Sequence, residues 1–326
     1  MKKLLYTTLI GCAVALFSAC SSLQLVTFDR LQAADINFPE QIRSVGIVNY
    51  VPSVSRSDKQ EDFWEGDGKL ATEVLAQEVA ATNYFEQVVI CDSALWELHR
   101  STDSRQSLPQ EQVDSLIRHL GVDLLLAMER VQIQLKNGKL FIPEMMADMH
   151  VIDGIVTPLV RAYIPGREVP LFSISKTDTI CWELTSELTY EQMVRDASEH
   201  AAKMPITYLL PYWETVERYY FDGGSVEMRD AGVCVREQDW KQAGELWKAA
   251  YGKRKGKAKM KAAYNLSLYY ELQDDMEQAK KYLDVAASLA EEESWEQQLI
   301  VLYQLKIGEI SKQSQRLKVQ MKRFEP

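Results

Sequence analysis

Two residue types that carry much of enzyme chemistry are nearly missing: the 326-residue chain has 4 histidines and 5 cysteines. His99, His119, His150 and His200 stand neither three nor four positions apart, and no His-Glu-x-x-His run occurs. No helix therefore presents two imidazoles to one metal ion by that motif. A zinc site needs three or four convergent ligands, and no Cys/His spacing supplies them, so no metal is expected. There is no Gly-x-Ser-x-Gly elbow for a hydrolase serine. A phosphate loop is missing too, because Gly68-Lys69 is followed by Leu70. No Cys-x-x-Cys pair is present. Basic charge is in deficit, with 37 Lys and Arg against 47 Asp and Glu. A body this acidic repels nucleic acid. The one locally basic stretch, Lys253 to Lys261, reads as a solvated link between helices.

Long apolar runs are also lacking. The longest, Leu4 to Phe17, follows Lys2 and Lys3 and leads into Ser18-Ala19-Cys20. It is too short for a permanent membrane span, which takes ~20 apolar residues. A basic start, a short apolar core and small residues before a cleavage point make an export signal. Leu16-Phe17-Ser18-Ala19-Cys20 resembles a bacterial lipoprotein signal, which implies cleavage before Cys20, diacylglycerol on its thiol and an acyl chain on its new amine. Several chains together hold a protein on a bilayer where one chain is marginal. The membrane is thus an expected partner through the N-terminal lipid. Loss of residues 1–19 removes Lys2 and Lys3, so the basic count falls to 35 against 47 acidic residues, a mature net charge of −12. The five residues after Cys20 carry no acidic side chain. Among such lipoproteins that favours the periplasmic side of the outer membrane. Three cysteines then remain, Cys91, Cys181 and Cys234; the first two close apolar runs and read as small core residues, although an oxidising periplasm would permit a bridge between them.

Residues 20–35 read as a tether, and a first domain spans residues 36–222. Val45 to Val51 is rich in β-branched residues, a buried strand. Ser53 to Gly68 is a long polar loop, followed by a helix carrying Leu70, Val74, Leu75 and Val79 on one face. Phe85 to Cys91 reads as a second strand. Ser107 is a candidate cap for a helix with Pro109 in its first turn, and Gly121 ends it. A third strand starts at Val122 and alternates to Leu135. Asn137-Gly138 predicts a two-residue hairpin, followed by strands over Met149 to Ile164 and Val169 to Trp182. From Thr189 the period becomes helical. The order β-α-β-α-β-β-β-α implies a mixed sheet, parallel first and antiparallel later.

Residues 223–326 read as all helix, which makes the chain α+β overall. Ala231, Ala243, Trp247 and Ala250 align with Ser267, Ala279, Leu283 and Ala286 at a constant offset of 36. Small residues let antiparallel helices approach, and the large one fills the space above them. Asp239-Trp240 and Asp274-Asp275 mark the turns inside each unit. With Tyr264-Asn265-Leu266, Tyr270 and Met276-Glu277-Gln278-Ala279, the second unit resembles a tetratricopeptide repeat, nominally ~34 residues. Cys234 stands in the first where an aromatic is usual. Ser294 to Arg323 supplies a capping helix.

Cys20, Ala34 to Pro39, Val45 to Asn49, Arg218 to Tyr220 and Asp239-Trp240, in that order, resemble an uncharacterised family of Bacteroidota envelope lipoproteins. Its members pair an α/β domain with a short tetratricopeptide array, and no catalytic residue is implied by the resemblance. More distantly, the α/β order resembles the domain shared by the curli-secretion lipoprotein, penicillin-binding-protein-activating lipoproteins and the amino-terminal domain of the Tol translocation protein. That likeness is of fold alone.

Function is expected to lie in binding. Trp240, Trp247, Tyr264, Tyr269 and Tyr270 are the candidate partner-binding residues: most of the aromatics at the junction and in the repeats are expected in the core, with one or two facing a groove, where Tyr and Trp favour partner binding. The expected partner is another envelope protein or a peptide, with the protein acting as a scaffold and no cofactor. Gly66-Asp67-Gly68-Lys69-Leu70-Ala71, with Asp92 ending the next strand, imitates a dinucleotide fingerprint. Its glycines come too long after the strand, and Asp67 places charge where phosphate would lie. An alternative is an envelope enzyme or small-ligand carrier using Glu61, Asp62, Glu65 and Asp67. A further one is a subunit of an oligomeric secretion assembly.

Overall fold

A computed structural model describes residues 23–52, 63–93, 95 and 107–324. The chain forms two compact units. One holds residues 33–212 and 320–326; the other holds residues 213–319 with the segment that ends at Gln32. The α+β assignment is correct: the first unit is a mixed sheet with helices and the second is mostly helical.

The sheet of the first unit has strand order β4-β2-β5-β6-β7, with β3 (Phe63–Glu65) on β5 and β8 (Asp178–Glu183) on β6. β2 (Ser44–Asn49) lies between β4 (Gln87–Cys91) and β5 (Leu124–Ile142) and is parallel to both. It is buried from Val45 to Asn49, as a strand covered on both faces must be. β6 (Ala147–Tyr163) runs antiparallel to β5 and carries β7 (Phe172–Ile174) at one end and β8 at the other. The expected single strand over Val169 to Trp182 is therefore two, each paired to its own stretch of β6.

The Asn137-Gly138 hairpin does not form. β5 passes straight through it, pairing Asn137 with Ile152 and Gly138 with Val151, and the chain reverses over Pro143–Met145, where Met146 takes φ +48°. Continuation of the ladder outweighs the local turn preference, and a Cβ on Gly138 would overlap the Asp153 carboxylate across the ladder.

Four α-helices are found among the described residues of this unit. α1 (Gly68–Ala81) is capped by Asp67, which accepts from Leu70 N. α2 (Gln110–Leu120) begins after Pro109 without a side-chain cap, so Ser107 does not serve, and it ends on Gly121 at φ +67°. α3 (Tyr190–Lys203) is capped by Thr189 and buries Met193, Ala197, Ser198, Ala201 and Ala202. α1 and α3 share one core with Val131, Ile133 and Val156 of the sheet, while α2 covers Val48, Leu125 and Ala127 in a second core. A short helix, α4 (Ile206–Leu209), follows Pro205. The tail returns to this unit: the Gln320 side chain donates to Ala34 O, Ile36 O and Asn37 Oδ1 at 2.8–3.0 Å and accepts from Ala34 N at 3.0 Å.

In the second unit, residues expected in a tether form β1 (Leu23–Gln32), which pairs with β9 (Tyr212–Phe221). Alternation drives this: Val26 and Phe28 pack on the helical core while Leu25, Thr27 and Asp29 face out. The division between units falls at Trp213, ahead of the boundary expected at residue 223. Then come α5 (Val226–Arg236), α6 (Trp240–Lys253), α7 (Gly256–Leu272), α8 (Met276–Leu289) and α9 (Trp295–Met321).

The positions offset by 36 are structurally equivalent. All eight are fully buried, Ala231 to Ala250 in one helical hairpin and Ser267 to Ala286 in the next. Asp239 and Asp275 cap α6 and α8, and Gln238 and Asp274 take φ +61° and +58°. A buried charge cluster joins ribbon to helices. Arg218 of β9 donates to Glu271 of α7 at 2.7 Å, Tyr303 of α9 donates to it at 2.5 Å, and Arg30 of β1 lies 3.6 Å from it.

Candidate functional site

The five candidate partner-binding aromatics separate into two groups. Trp247 and Tyr264 are 0% and 2% exposed, so both are core residues and no partner can reach them. Their spacing is that of the inner face of a helix pair, and both leave the set of candidate partner-binding residues. Tyr269 and Tyr270 are half-buried and stand against each other with ring centres 5.3 Å apart. Tyr270 stacks on Tyr282 at 5.3 Å, and Lys248 lies over both Tyr269 and Tyr270 at 4.8 and 5.5 Å. These rings are largely occupied by one another.

Trp240 is different. It is half-buried at the start of α6, edge-on to Phe28 of β1 at 6.5 Å. Together they open on a groove of about 560 Å3 lined by Leu25 to Asp29, Tyr220, Arg236 and Gln238. The groove touches five consecutive residues of β1 together with Thr215 and Tyr220 of its partner strand β9. Among the described residues β1 pairs with β9 alone, and its other edge carries no further strand. The groove thus combines residues of both ribbon strands, an aromatic wall, and polar side chains from the α5–α6 turn. Neither the groove nor the role of Phe28 was legible while residues 23–32 read as a tether.

Two of the four acidic residues of the alternative, Glu65 and Asp67, are described. Glu61 and Asp62 lie outside the described residues. The Glu65 carboxylate accepts from Val131 N on the neighbouring strand, and burial pushes its pKa up to about 7. Asp67 caps α1, and its own N–H donates to Ser198 Oγ at 2.9 Å. Each of the two carboxylates thus has a structural task. The shallow groove beside them, lined by Asp67, Lys69, Glu73, Tyr190, Glu191 and Arg195, mixes both signs of charge.

The glycines of the dinucleotide look-alike are packing positions. A Cβ on Gly68 would stand 2.7 Å from Asn49 Oδ1, and one on Gly66 would stand 2.7 Å from Ser198 Oγ. Both are required by close approach of protein to protein, which the reading as a loose loop missed. Asp92, after β4, pairs with Lys69 at 3.4 Å.

A buried carboxylate that sequence reasoning passed over is Glu129. It sits where the β5–β6 register slips between Met128 and Arg130, a bulge that re-aims a side chain. It accepts from Tyr163 Oη and, at 2.6 Å, from Arg161, and Leu108 N donates to Tyr163 Oη at 3.1 Å. Burial raises its pKa. These partners satisfy the group internally.

Cys91, Cys181 and Cys234 are free thiols, and Cys181 is exposed rather than part of the core. Cys91 on β4 and Cys181 on β8 are separated across the sheet by β2, β5 and β6, a span of several ~4.8 Å strand spacings. No group of three metal-ligating side chains is found among the described residues. His200 instead pairs with Asp178 at 2.9 Å, while His99 lies outside the described residues. No helix of the described residues is long and apolar enough to cross a membrane.

No curated protein matches the chain. A second family model, Domain of unknown function (DUF6340), matches residues 229–309, within the helices. The model for Domain of unknown function (DUF8603) matches residues 42–221, the mixed sheet, its helices and β9. With more than half its length matched, the chain belongs to the DUF8603 family.

Proposed function

We propose that the protein is a lipid-anchored scaffold of the cell envelope that recruits another envelope protein by gripping an extended segment of it. The observation that carries this reading is the groove at β1, whose other edge carries no further strand among the described residues. An unpaired strand edge offers amide and carbonyl groups at the spacing of a second strand, which is the basis of strand addition. Phe28 and Trp240 add an aromatic clamp for one apolar side chain. Arg236 and Gln238 stand at its rim, where they can read a polar neighbour. The tetratricopeptide-like hairpins are the rigid support that holds the α5–α6 turn against the ribbon, and the lipid on Cys20 keeps the assembly in the envelope, on the periplasmic side of the outer membrane.

The test is in-cell photocrosslinking from Thr27, which is exposed and lines the groove, followed by mass spectrometry. One dominant envelope partner is expected, and Trp240→Ala should weaken its capture at least about tenfold, the loss typical of an aromatic anchor. A partner captured equally by the wild type and by Trp240→Ala would sink the role given to the groove.

A further inference from the structure

Because β1 is described from Leu23, at most three Cα–Cα steps separate Cys20 from folded structure. Three such steps span at most ~10 Å whatever their conformation. An acylated Cys20 therefore holds the first residue of β1 within about that distance of the bilayer interface, and a short leash fixes which end of the helical unit meets lipid. This inference rests on the lipid-anchor reading above.

Contacts along the ribbon identify that end. Thr215 donates to Asp29 at 2.7 Å, Gln32 to Glu214 at 2.8 Å, and Arg218 lies 5.9 Å from the Phe28 ring. These pairings run β1 and β9 antiparallel, so Leu23 comes beside Phe221 at the end of β9. Phe221 stands 6.0 Å from the Trp295 ring and 5.1 Å from Lys261 Nζ. The far end of the ribbon is marked by Arg30, which pairs at 3.2 Å with Asp274 in the α7–α8 turn. α7, of 17 residues, separates the two ends by ~25 Å.

We infer that the helical unit stands on the lipid headgroup layer, with the α6–α7 link at Lys255 and the start of α9 at Trp295 against lipid. The α5–α6 and α7–α8 turns point away. Trp295 is 51% exposed at that end, and an indole with an apolar body and a polar N–H suits the interface. Charge does not set the orientation. Lys253 and Arg254 pair with Glu227 at 3.4 and 2.9 Å, Lys257 pairs with Glu296 at 2.6 Å, and Glu291, Glu292 and Glu293 stand exposed in the neighbouring link. Neutral lipid therefore suffices. The Trp240 and Gln238 end of the groove then lies away from the membrane, where a partner can enter, and its Leu25 and Tyr220 end lies toward the lipid.

The test uses the full lipidated protein in phosphatidylcholine vesicles carrying a headgroup-attached energy acceptor. Donor dyes are placed at Lys255→Cys or Gln273→Cys in a background with Cys91, Cys181 and Cys234 replaced by serine. Quenching roughly twofold greater at position 255 is expected from a separation of about one helix length. Equal quenching, or more at position 273, overturns the orientation. A preference that appears only when phosphatidylglycerol is added also overturns it, since charge and not the leash would then be the cause. A second measurement needs no cysteine substitution: brominated phosphatidylcholine should quench the wild-type tryptophan fluorescence, and Trp295→Phe should lose most of that quenching. Retention of the quenching overturns the assignment of Trp295. The mass of the N-terminal peptide separates the two readings. Absence of acyl chains on Cys20 defeats the anchor itself, whereas an acylated protein with equal quenching defeats the orientation alone.

Discussion

Glu65 shows how one buried carboxylate turns into a pH dependence. Burial raises its pKa from 4.5 to about 7 against the pull of the Val131 amide. The folded state thus binds the proton more readily than the unfolded chain. Stability is present in full below pH 4.5 and is lost as pH rises through the folded value, by roughly 3 kcal/mol. Glu65→Gln should abolish that fall, and urea unfolding at pH 5 and pH 8 would measure it; an unchanged difference between the two pH values would refute the assignment. Gln320 is the counterpart among neutral groups. It is 3% exposed and satisfies Ala34, Ile36 and Asn37 at once. Gln320→Ala removes these hydrogen bonds to Ala34, Ile36 and Asn37 and should cost about 2–3 kcal/mol, read as a shift in the urea midpoint. Neither residue stands out in the sequence. A glutamine in a polar helix end and one glutamate among several acidic neighbours look like solvated surface until their partners, distant along the chain, are known.

At the scale of elements, the β1–β9 ribbon is held to the helices by Glu271, which meets Arg218, Arg30 and Tyr303 out of water. Removing the Glu271 carboxylate leaves the buried Arg218 guanidinium without its ion-pair partner, whereas Arg30 keeps Asp274 at 3.2 Å. Glu271→Gln should therefore destabilise the unit by about 3–5 kcal/mol, while Glu271→Gln combined with Arg218→Met should recover part of that loss. Thermal unfolding followed by circular dichroism would decide it; a double variant no more stable than the single one would contradict the coupling. The helices themselves were largely legible. Apolar spacing at three and four residues, the turns marked at Asp239-Trp240 and Asp274-Asp275, and the change of period at Thr189 are local signals, and local signals survive into the fold. Several strands were not: β1, whose ten residues read as a tether; β3, inside the expected polar loop; β9; and the through-running end of β5, where Asn137-Gly138 argued for a turn. β1, β3 and β9 each pair with a strand distant in sequence.

For the whole molecule, the proposed lipid anchor would set the compartment, and the structure sets what is displayed there. Cys20→Ala should release the protein from the membrane fraction into the soluble periplasmic fraction, and the wild-type N-terminal peptide should carry the mass of the acyl chains. Western blotting of fractionated cells is the check. A variant that stays with the membrane would show that another contact, not the lipid, holds it. Loss of the anchor should leave the folding transitions unchanged, because no described contact depends on Cys20.

The sequence by itself determined the α+β class, the 36-residue offset between the helical hairpins and the scarcity of motif chemistry, and it carries the expectation of a signal and its cysteine. Each is written in periodicity, composition or a contiguous motif, which depend only on near neighbours. The tertiary structure decided which aromatics are core and which are accessible. It made a strand of the supposed tether, assigned the acidic loop's glutamate and aspartate to structural tasks, and opened the groove beside Trp240. Those outcomes depend on which distant residues come into contact, and contact decides whether a given side chain is solvated, paired or enclosed.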